Sequence, residues 1–407
     1  MTAESAIELK CERALARLLR YCRSEGWAGY DPYDGLNSPL VRALTLNSKT
    51  LRTIATQLNK RSPVNLRPLL GIRKELNPKG LALAARALIE LLSGQKKGTP
   101  ASLVAGESGE ELESDSRHLL SKLEEVRSDQ YSEACWGYNF DWQSRAFFAP
   151  RGTPNVVCTV FAAHAFLDWY EATQDSRAFE MAGSSCRFLL DRINRTNDGD
   201  KFCFSYTPLD HSRVHNVNLL AAELLARIFA SEGREEYRVA AEGALRFTIA
   251  RQKEDGSWSY GDDRSQEWID SFHTGFVLVS LRNISAYLGL TDLQTSVEAG
   301  YEFYSNRFFL ADSTPGYYHD DLYPVDVHSA AQAIITFVEM TDLTPNARQR
   351  ADRAAAWAID NLQDSAGFFH FQRRRFYTIK IPYMRWSQAW MLYALSRFYT
   401  RDQARNV

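Results

Sequence analysis

The run Gln252-Lys253-Glu254-Asp255-Gly256-Ser257-Trp258-Ser259-Tyr260-Gly261-Asp262-Asp263, followed shortly by Asp270-Ser271-Phe272-His273-Thr274-Gly275, decides the fold. A helix ending near Gln252 meets an Asp-Gly turn, where Gly accepts a positive φ and Asp bonds its own backbone. Trp258 and Tyr260 then alternate as in a short extended segment. A polar loop follows, and a new apolar helix begins near Asp270.

The unit recurs. Five apolar helices open on a polar or aromatic residue, namely Asn155, Asn216, His273, His328 and Trp386, spaced by 61, 57, 55 and 58 residues. Each follows an aromatic segment, such as Trp136-x-Tyr138, Phe202-x-Phe204, Trp258-x-Tyr260, Tyr317-Tyr318 or Phe368-Phe369. Amphipathic helices lie between them, over residues 176–195, 235–252, 294–309 and 346–363. Apolar and amphipathic helices alternating at one period are the mark of stacked hairpins that share a core. The expected fold is all-α, an (α/α)6 or (α/α)7 toroid of helical hairpins with short aromatic β-hairpin-like loops at one end. Seven inner-helix starts are proposed, at Pro39, Pro78, Pro154, Val214, Ile269, Val325 and Tyr383.

One toroid domain is expected over 1–407, with the first hairpins in 1–130, a mobile loop at 95–110 and regular repeats over 131–407. Its 45% apolar and 12% aromatic content suffices for a large core and a lined cavity. A net charge of −2 gives no basic field for nucleic acid or a membrane surface. The six cysteines are scattered without metal-ligand spacing and read as buried thiols in a reducing compartment. The N-terminal residues lack a signal-peptide pattern and no window reaches membrane-span length, so a cytoplasmic location is expected. A homodimer is left open.

If the apolar helices line a ring in parallel, the loops entering their N-termini gather at one mouth. Positive dipole ends and free N–H groups collect there too. His273, His328, Asp270, Asp326, Asp263 and His215 are the acid–base candidates, three of them histidines at equivalent repeat positions. The substrate-binding candidates are Asp31, Asp34, Trp136, Tyr138, Arg151, Asn155, Asn216, Trp258, Tyr260, Asp262, Tyr318, Arg375, Arg385 and Trp386. Asp and Asn ahead of a helix ordinarily serve as N-caps, and the aromatics ordinarily pack between hairpins. Arg373-Arg374-Arg375, alternating with aromatics, would turn some guanidinium groups inward to hold a carboxylate or phosphate. No metal site is assigned and no cofactor is called for, although a divalent metal stays open.

Gln252-Lys253-Glu254-Asp255-Gly256-Ser257-Trp258 resembles the Q-x-x-D-G-S-W repeat of the squalene cyclase branch of the α/α-toroid superfamily. That group also holds six-hairpin glycosidases, unsaturated glucuronyl hydrolases, uronate lyases, sugar epimerases and protein prenyltransferases. The resemblance implies the architecture, with the motif tying helix ends together. The cyclases' acidic D-x-D-D is absent, since Tyr260-Gly261-Asp262-Asp263 lacks its first aspartate. The aromatic loops and the His, Asn, Tyr and Arg assortment are closer to the sugar-active branch. In lyases of that kind an Asn or His with an Arg neutralises a uronate carboxylate, while a Tyr or His removes the neighbouring proton. The implied function is therefore an enzyme acting on an anionic, uronic-acid-type glycan or its precursor, in polysaccharide biosynthesis or modification. A hydrolase would instead pair carboxylates, with Asp262 or Asp263 facing Asp326. The alternatives are a terpenoid cyclase or prenyltransferase-like enzyme, and a non-catalytic toroid that binds a glycan or a partner.

Overall fold

The computed structural model describes residues 3–96, 107–145, 147–344 and 346–403. Residues 97–106 of the loop expected to be mobile lie outside these. Along the chain come α1 (Ala3–Ser24), α2 (Pro39–Thr45), α3 (Lys49–Arg61), α4 (Pro78–Lys96) and α5 (Gly109–Glu125). They are followed by β1 (Trp142–Gln143), β2 (Phe148–Ala149), α6 (Val156–Thr173), α7 (Ser176–Arg192), β3 (Arg195–Asp198) and β4 (Lys201–Phe204). Next are α8 (His215–Glu232), α9 (Glu235–Ile249), α10 (Ser271–Leu288), α11 (Gln294–Arg307), β5 (Val325–Asp326) and α12 (Val327–Glu339). The chain ends with α13 (Ala347–Leu362), β6 (Gln372–Arg373), β7 (Thr378–Ile379), a π-helical turn (Met384–Ala389) and α14 (Trp390–Gln403).

Six helices form a closed inner ring in the order α4, α6, α8, α10, α12, α14 and back to α4. They are apolar on nearly every side, as helices surrounded by protein must be. In α6 every residue from Val156 to Leu167 is buried. The outer helices bury one stripe only; α9 hides Tyr237, Ala240, Ala241, Ala244 and Leu245 while its other side meets water. The toroid is therefore (α/α)6. Ser38 and Pro39 do start a helix, with Ser38 capping Val41 N–H, but α2 ends after two turns and joins α3 in an excursion outside the ring. The sixth outer helix is α1, which packs on α13 and α14.

The Gln-x-x-Asp-Gly run explains how neighbouring hairpins are tied. Gln252 Nε2 donates to Gly256 O (3.0 Å) and to Ser296 O of α11 (2.9 Å). Gly256 has φ +85°, and a Cβ there would sit 2.3 Å from Ala299 O, so no larger residue fits. Gln363 repeats the contact, donating to Gly367 O (3.0 Å) and to Ala14 O of α1 (2.9 Å). The second tie closes the ring between the two ends of the chain.

The connections from α6 to α7, α8 to α9 and α10 to α11 are short and turn on left-handed Gln174, Gly233 and Gly289. The connections from outer to inner helices are long and carry all the strands among the described residues, so the aromatic loops lie at one end. At the other end the inner helices are joined by ion pairs. Asp168 of α6 meets Arg86 of α4 and Arg227 of α8, each at 2.7 Å. Glu223 of α8 accepts from Asn283 of α10 at 2.7 Å, and Arg397 of α14 pairs with Glu90 of α4 at 2.7 Å and with Glu339 of α12. All six cysteines are free and buried. Among the described residues no helix is long and apolar enough to cross a membrane.

Candidate active site

The elaborated end holds a cavity of about 620 Å³, within the usual range for a small-molecule site. Tyr138, Trp142, Tyr206, Tyr260, Trp268 and Tyr317 line it, and Trp386 and Phe272 stand near its base. Tyr260 stacks on Trp268 with ring centres 4.4 Å apart, and Tyr138 Oη lies 3.1 Å from Tyr206 Oη. Burial pushes the Tyr138, Tyr206, Tyr260 and Tyr317 hydroxyls well above the ordinary tyrosine pKa. They therefore stay neutral and remain hydrogen-bond donors at physiological pH.

Asp270 and His273 are the acid–base candidates that the cavity brings together. Asp270 Oδ1 caps α10 by accepting His273 N–H (3.0 Å). Its Oδ2 accepts from Trp268 Nε1 (2.9 Å) and lies 2.7 Å from His273 Nδ1. The carboxylate thus fixes the proton on Nδ1 and leaves Nε2 as the basic nitrogen. The His273 side chain is 23% exposed, enough to meet a ligand.

Lys60, Arg61, Arg145, Arg374 and Arg385 supply positive charge, and Asp270 is the only carboxylate among the described lining residues. Arg385 is compensated: it grips the buried Asp31 through Nε (2.5 Å) and Nη2 (2.7 Å). The π-helical turn that carries Arg385 and Trp386 widens the start of the last inner helix, a feature common at functional sites. Lys60 has only a neutral partner there, donating to Tyr33 Oη (2.7 Å), and Arg374 donates to Gln372 Oε1 (3.0 Å). Burial pulls the Arg374 pKa down, as expected for a cation short of counter-charge.

The other acid–base candidates do not reach the cavity. His328 is sealed beneath it, stacked on Trp390 (4.5 Å) and on Phe272 (4.6 Å), and neither ring nitrogen has a partner. Burial, with Lys79 beside it, holds it neutral well below the usual histidine range. Asp326 is fully buried, caps α12, and accepts from Trp386 Nε1 (2.9 Å) and Gln372; burial raises its pKa. His215 lies in a small adjoining hollow that Tyr260, Asp270 and His273 also line, its Nε2 3.3 Å from Asp262, which Arg251 holds at 2.7 Å. Asp263 faces outward and pairs with Arg213 (3.0 Å). No two of these carboxylates flank the cavity as a glycoside hydrolase requires. His215 and His273 border the same small hollow, whereas His328 is cut off from it because the Phe272 ring stands between His273 and His328.

Of the substrate-binding candidates, Tyr138, Tyr260, Tyr318, Arg385 and Trp386 line the cavity. Asp31 and Asp34 sit behind it, neutralising Arg385 and Arg67. Trp136 and Trp258 are structural, their indoles donating to Leu123 O (2.7 Å) and Thr248 O (3.0 Å). Asn155 caps α6, Asn216 borders the small hollow with His215, Arg151 pairs with Glu75 on the surface, and Arg375 points outward. Sequence reasoning passed over Lys60, Tyr206 and Trp268, and named Arg374 only as part of the Arg373-Arg374-Arg375 run, of which Arg374 is the one that lines the cavity. Trp268 could have been found from its place two residues before the capping Asp270. Lys60 belongs to an excursion with no repeat signal. Among the described residues no group of three or more His, Cys, Asp or Glu gathers as a metal site.

A ring of six helical hairpins with its loops and cavity at one end defines an α/α toroid. Solved structures share it. The chain is 13% identical to an unsaturated glucuronyl hydrolase specific for heparin, over 100% of this chain and 99% of that one, with a TM-score of 0.63. It is 13% identical to the cellobiose 2-epimerase of Bacillus thermoamylovorans, over 82% and 90%, at 0.60. It is 14% identical to the GH76 α-mannanase of Bacteroides thetaiotaomicron, over 81% and 87%, at 0.57. No family model and no curated protein matches the chain.

Proposed function

We propose that this protein is a carbohydrate-active enzyme that moves a proton on an anionic, uronic-acid-type sugar, as lyases and epimerases do, in the making or modification of a polysaccharide. The observation that carries the reading is the Asp270–His273 pair opening on an aromatic cavity whose cations outnumber its carboxylates. His273 Nε2 takes the proton next to the substrate carboxylate, and Asp270 steadies the imidazolium that results. Lys60 and Arg374 hold the carboxylate and draw charge away from the adjacent carbon. A neutral tyrosine hydroxyl, Tyr260 or Tyr317, donates to the oxygen on which charge develops, and the rings of Tyr260 and Trp268 stack on the apolar face of the sugar. The solved toroids cited above, named as an epimerase, a mannanase and a glucuronyl hydrolase, support sugar chemistry in general. Among those reaction types, a single lining carboxylate favours proton transfer over two-carboxylate hydrolysis. Charge around the mouth disfavours a terpenoid cavity.

A thermal-shift screen against uronic acids, nucleotide sugars and prenyl diphosphates finds the ligand. Turnover in deuterium oxide then tests the chemistry. The expected result is deuterium entering at the carbon beside the carboxylate where the sugar is epimerised, or an unsaturated, ultraviolet-absorbing product where it is cleaved by elimination, in either case lowered by about 10²–10⁴-fold in His273→Ala. Full turnover by His273→Ala would remove the assignment.

A further inference from the structure

The excursion that carries Lys60 is built the wrong way round for a soluble surface. Within α3, Thr53, Gln57 and Lys60 turn toward the cavity. Leu51, Ile54 and Leu58, spaced by three and four residues, form the opposite face, and Leu58 is 69% exposed. In α2, Leu40 and Leu44 are exposed one turn apart, and Leu69 beyond α3 is 84% exposed. Nine of the fifteen exposed large apolar side chains among the described residues fall within 40–69, so the clustering is local to this excursion. Charge is just as uneven. Residues 35–74 contain eight Lys and Arg and no Asp or Glu, in a chain that has 48 of the former and 50 of the latter. Arg42, Lys49 and Arg73 are exposed and make no ion pair among the described residues.

A second element adjoins this face. The tip between β6 and β7 carries exposed Arg373 and Arg375 and Phe376, which is 88% exposed. Tyr377 Oη donates to Arg61 O at the end of α3 (3.0 Å), joining tip and excursion. Exposed leucines and an aromatic flanked by unpaired cations are what an in-plane membrane contact uses: apolar side chains enter the headgroup boundary while Lys and Arg meet anionic lipid.

We propose that α2–α3 and the β6–β7 tip dock this protein on an anionic phospholipid bilayer, beside the mouth of the cavity. The contact is peripheral. A second copy of the chain is a poor occupant, since it would bring two acid-free cationic faces together. Bare nucleic acid would leave the leucines unmatched.

The test is co-sedimentation of the full chain with phosphatidylcholine vesicles, with and without phosphatidylglycerol, at low and high salt. Binding is expected only with phosphatidylglycerol and is weakened by salt. Leu51→Ser/Ile54→Ser/Leu58→Ser and Phe376→Ser should each lower the bound-to-free ratio, the triple change by more than about tenfold, with unchanged thermal melts. Arg42→Glu/Arg73→Glu, which leaves the apolar face intact, should also reduce it. Equal pelleting with neutral vesicles, or none with anionic ones, would overturn the proposal. So would a dimer in light scattering that the triple variant dissolves, which would give the face to a second copy. None of these residues belongs to the acid–base site, so the outcome is independent of the sugar chemistry.

Discussion

The two ends of the toroid treat their cations differently. At the closed end Arg86, Arg227 and Arg397 each meet carboxylates from neighbouring inner helices. At the open end Lys60 and Arg374 face the cavity with neutral partners only, between long aromatic loops. A desolvated guanidinium is costly without a counter-ion and tolerable with one. The closed end is thus satisfied internally and holds the ring together. At the open end Arg385 and Arg67 are paired with Asp31 and Asp34, while Lys60 and Arg374 have no carboxylate partner among the described residues, a lack that an anionic ligand would fill.

The comparison breaks if the ends respond alike to mutation. The largest effect should come from Asp168→Ala. Burial alone would raise the Asp168 pKa, but Arg86 and Arg227 overcome this and hold the carboxyl far below its usual range. Its removal strands Arg86 and leaves Arg227 only Glu171 (2.8 Å), and should cost about 3–5 kcal/mol in urea unfolding, with ligand affinity kept. Next comes Asp270→Asn, which still caps α10 but loses the charge that orients His273. Turnover should fall about 10²-fold with little change in melting, whereas a loss of stability and not of rate would make the pair structural.

The last effect, which builds only above neutral pH, concerns Lys79, which packs against Phe161 (4.6 Å) and Trp390 (4.9 Å). Burial, with repulsion from Arg385, pulls its ammonium pKa down to about 7. Between that value and the ordinary one near 10.4 the unfolded chain holds the extra proton, so stability should rise with pH by up to about 1.4 kcal/mol per unit. Lys79→Met should flatten this rise, and an unchanged slope would show that the lysine keeps its charge when folded.

Much of the fold was legible because a repeat is a property of spacing. Gln252 and Gln363, the even distances between helix starts and the all-round apolar pattern of α6 or α12 each pointed to paired helices in a ring. Pro39 misled, since Ser38-Pro39 gives the start signal of an inner helix without the apolar length to be one. The site was less legible. A sequence shows that a residue begins an inner helix, but the side chain's direction depends on packing. His273 turns toward the hollow, whereas His328 at the matching position is shut behind Phe272. The π-helical turn that aims Arg385 has no signature in the sequence. A net charge near zero likewise hid the acid-free stretch from 35 to 74.

The most direct test of the account is calorimetric titration of Lys60→Ala/Arg374→Gln, beside the parent chain, with a uronic acid sugar and its neutral counterpart. The account predicts that the parent prefers the anionic sugar, and that the double variant loses at least about tenfold in affinity for it at undiminished thermal stability. Equal affinity for both sugars in the parent chain, or a variant that binds the uronate as before, would contradict it.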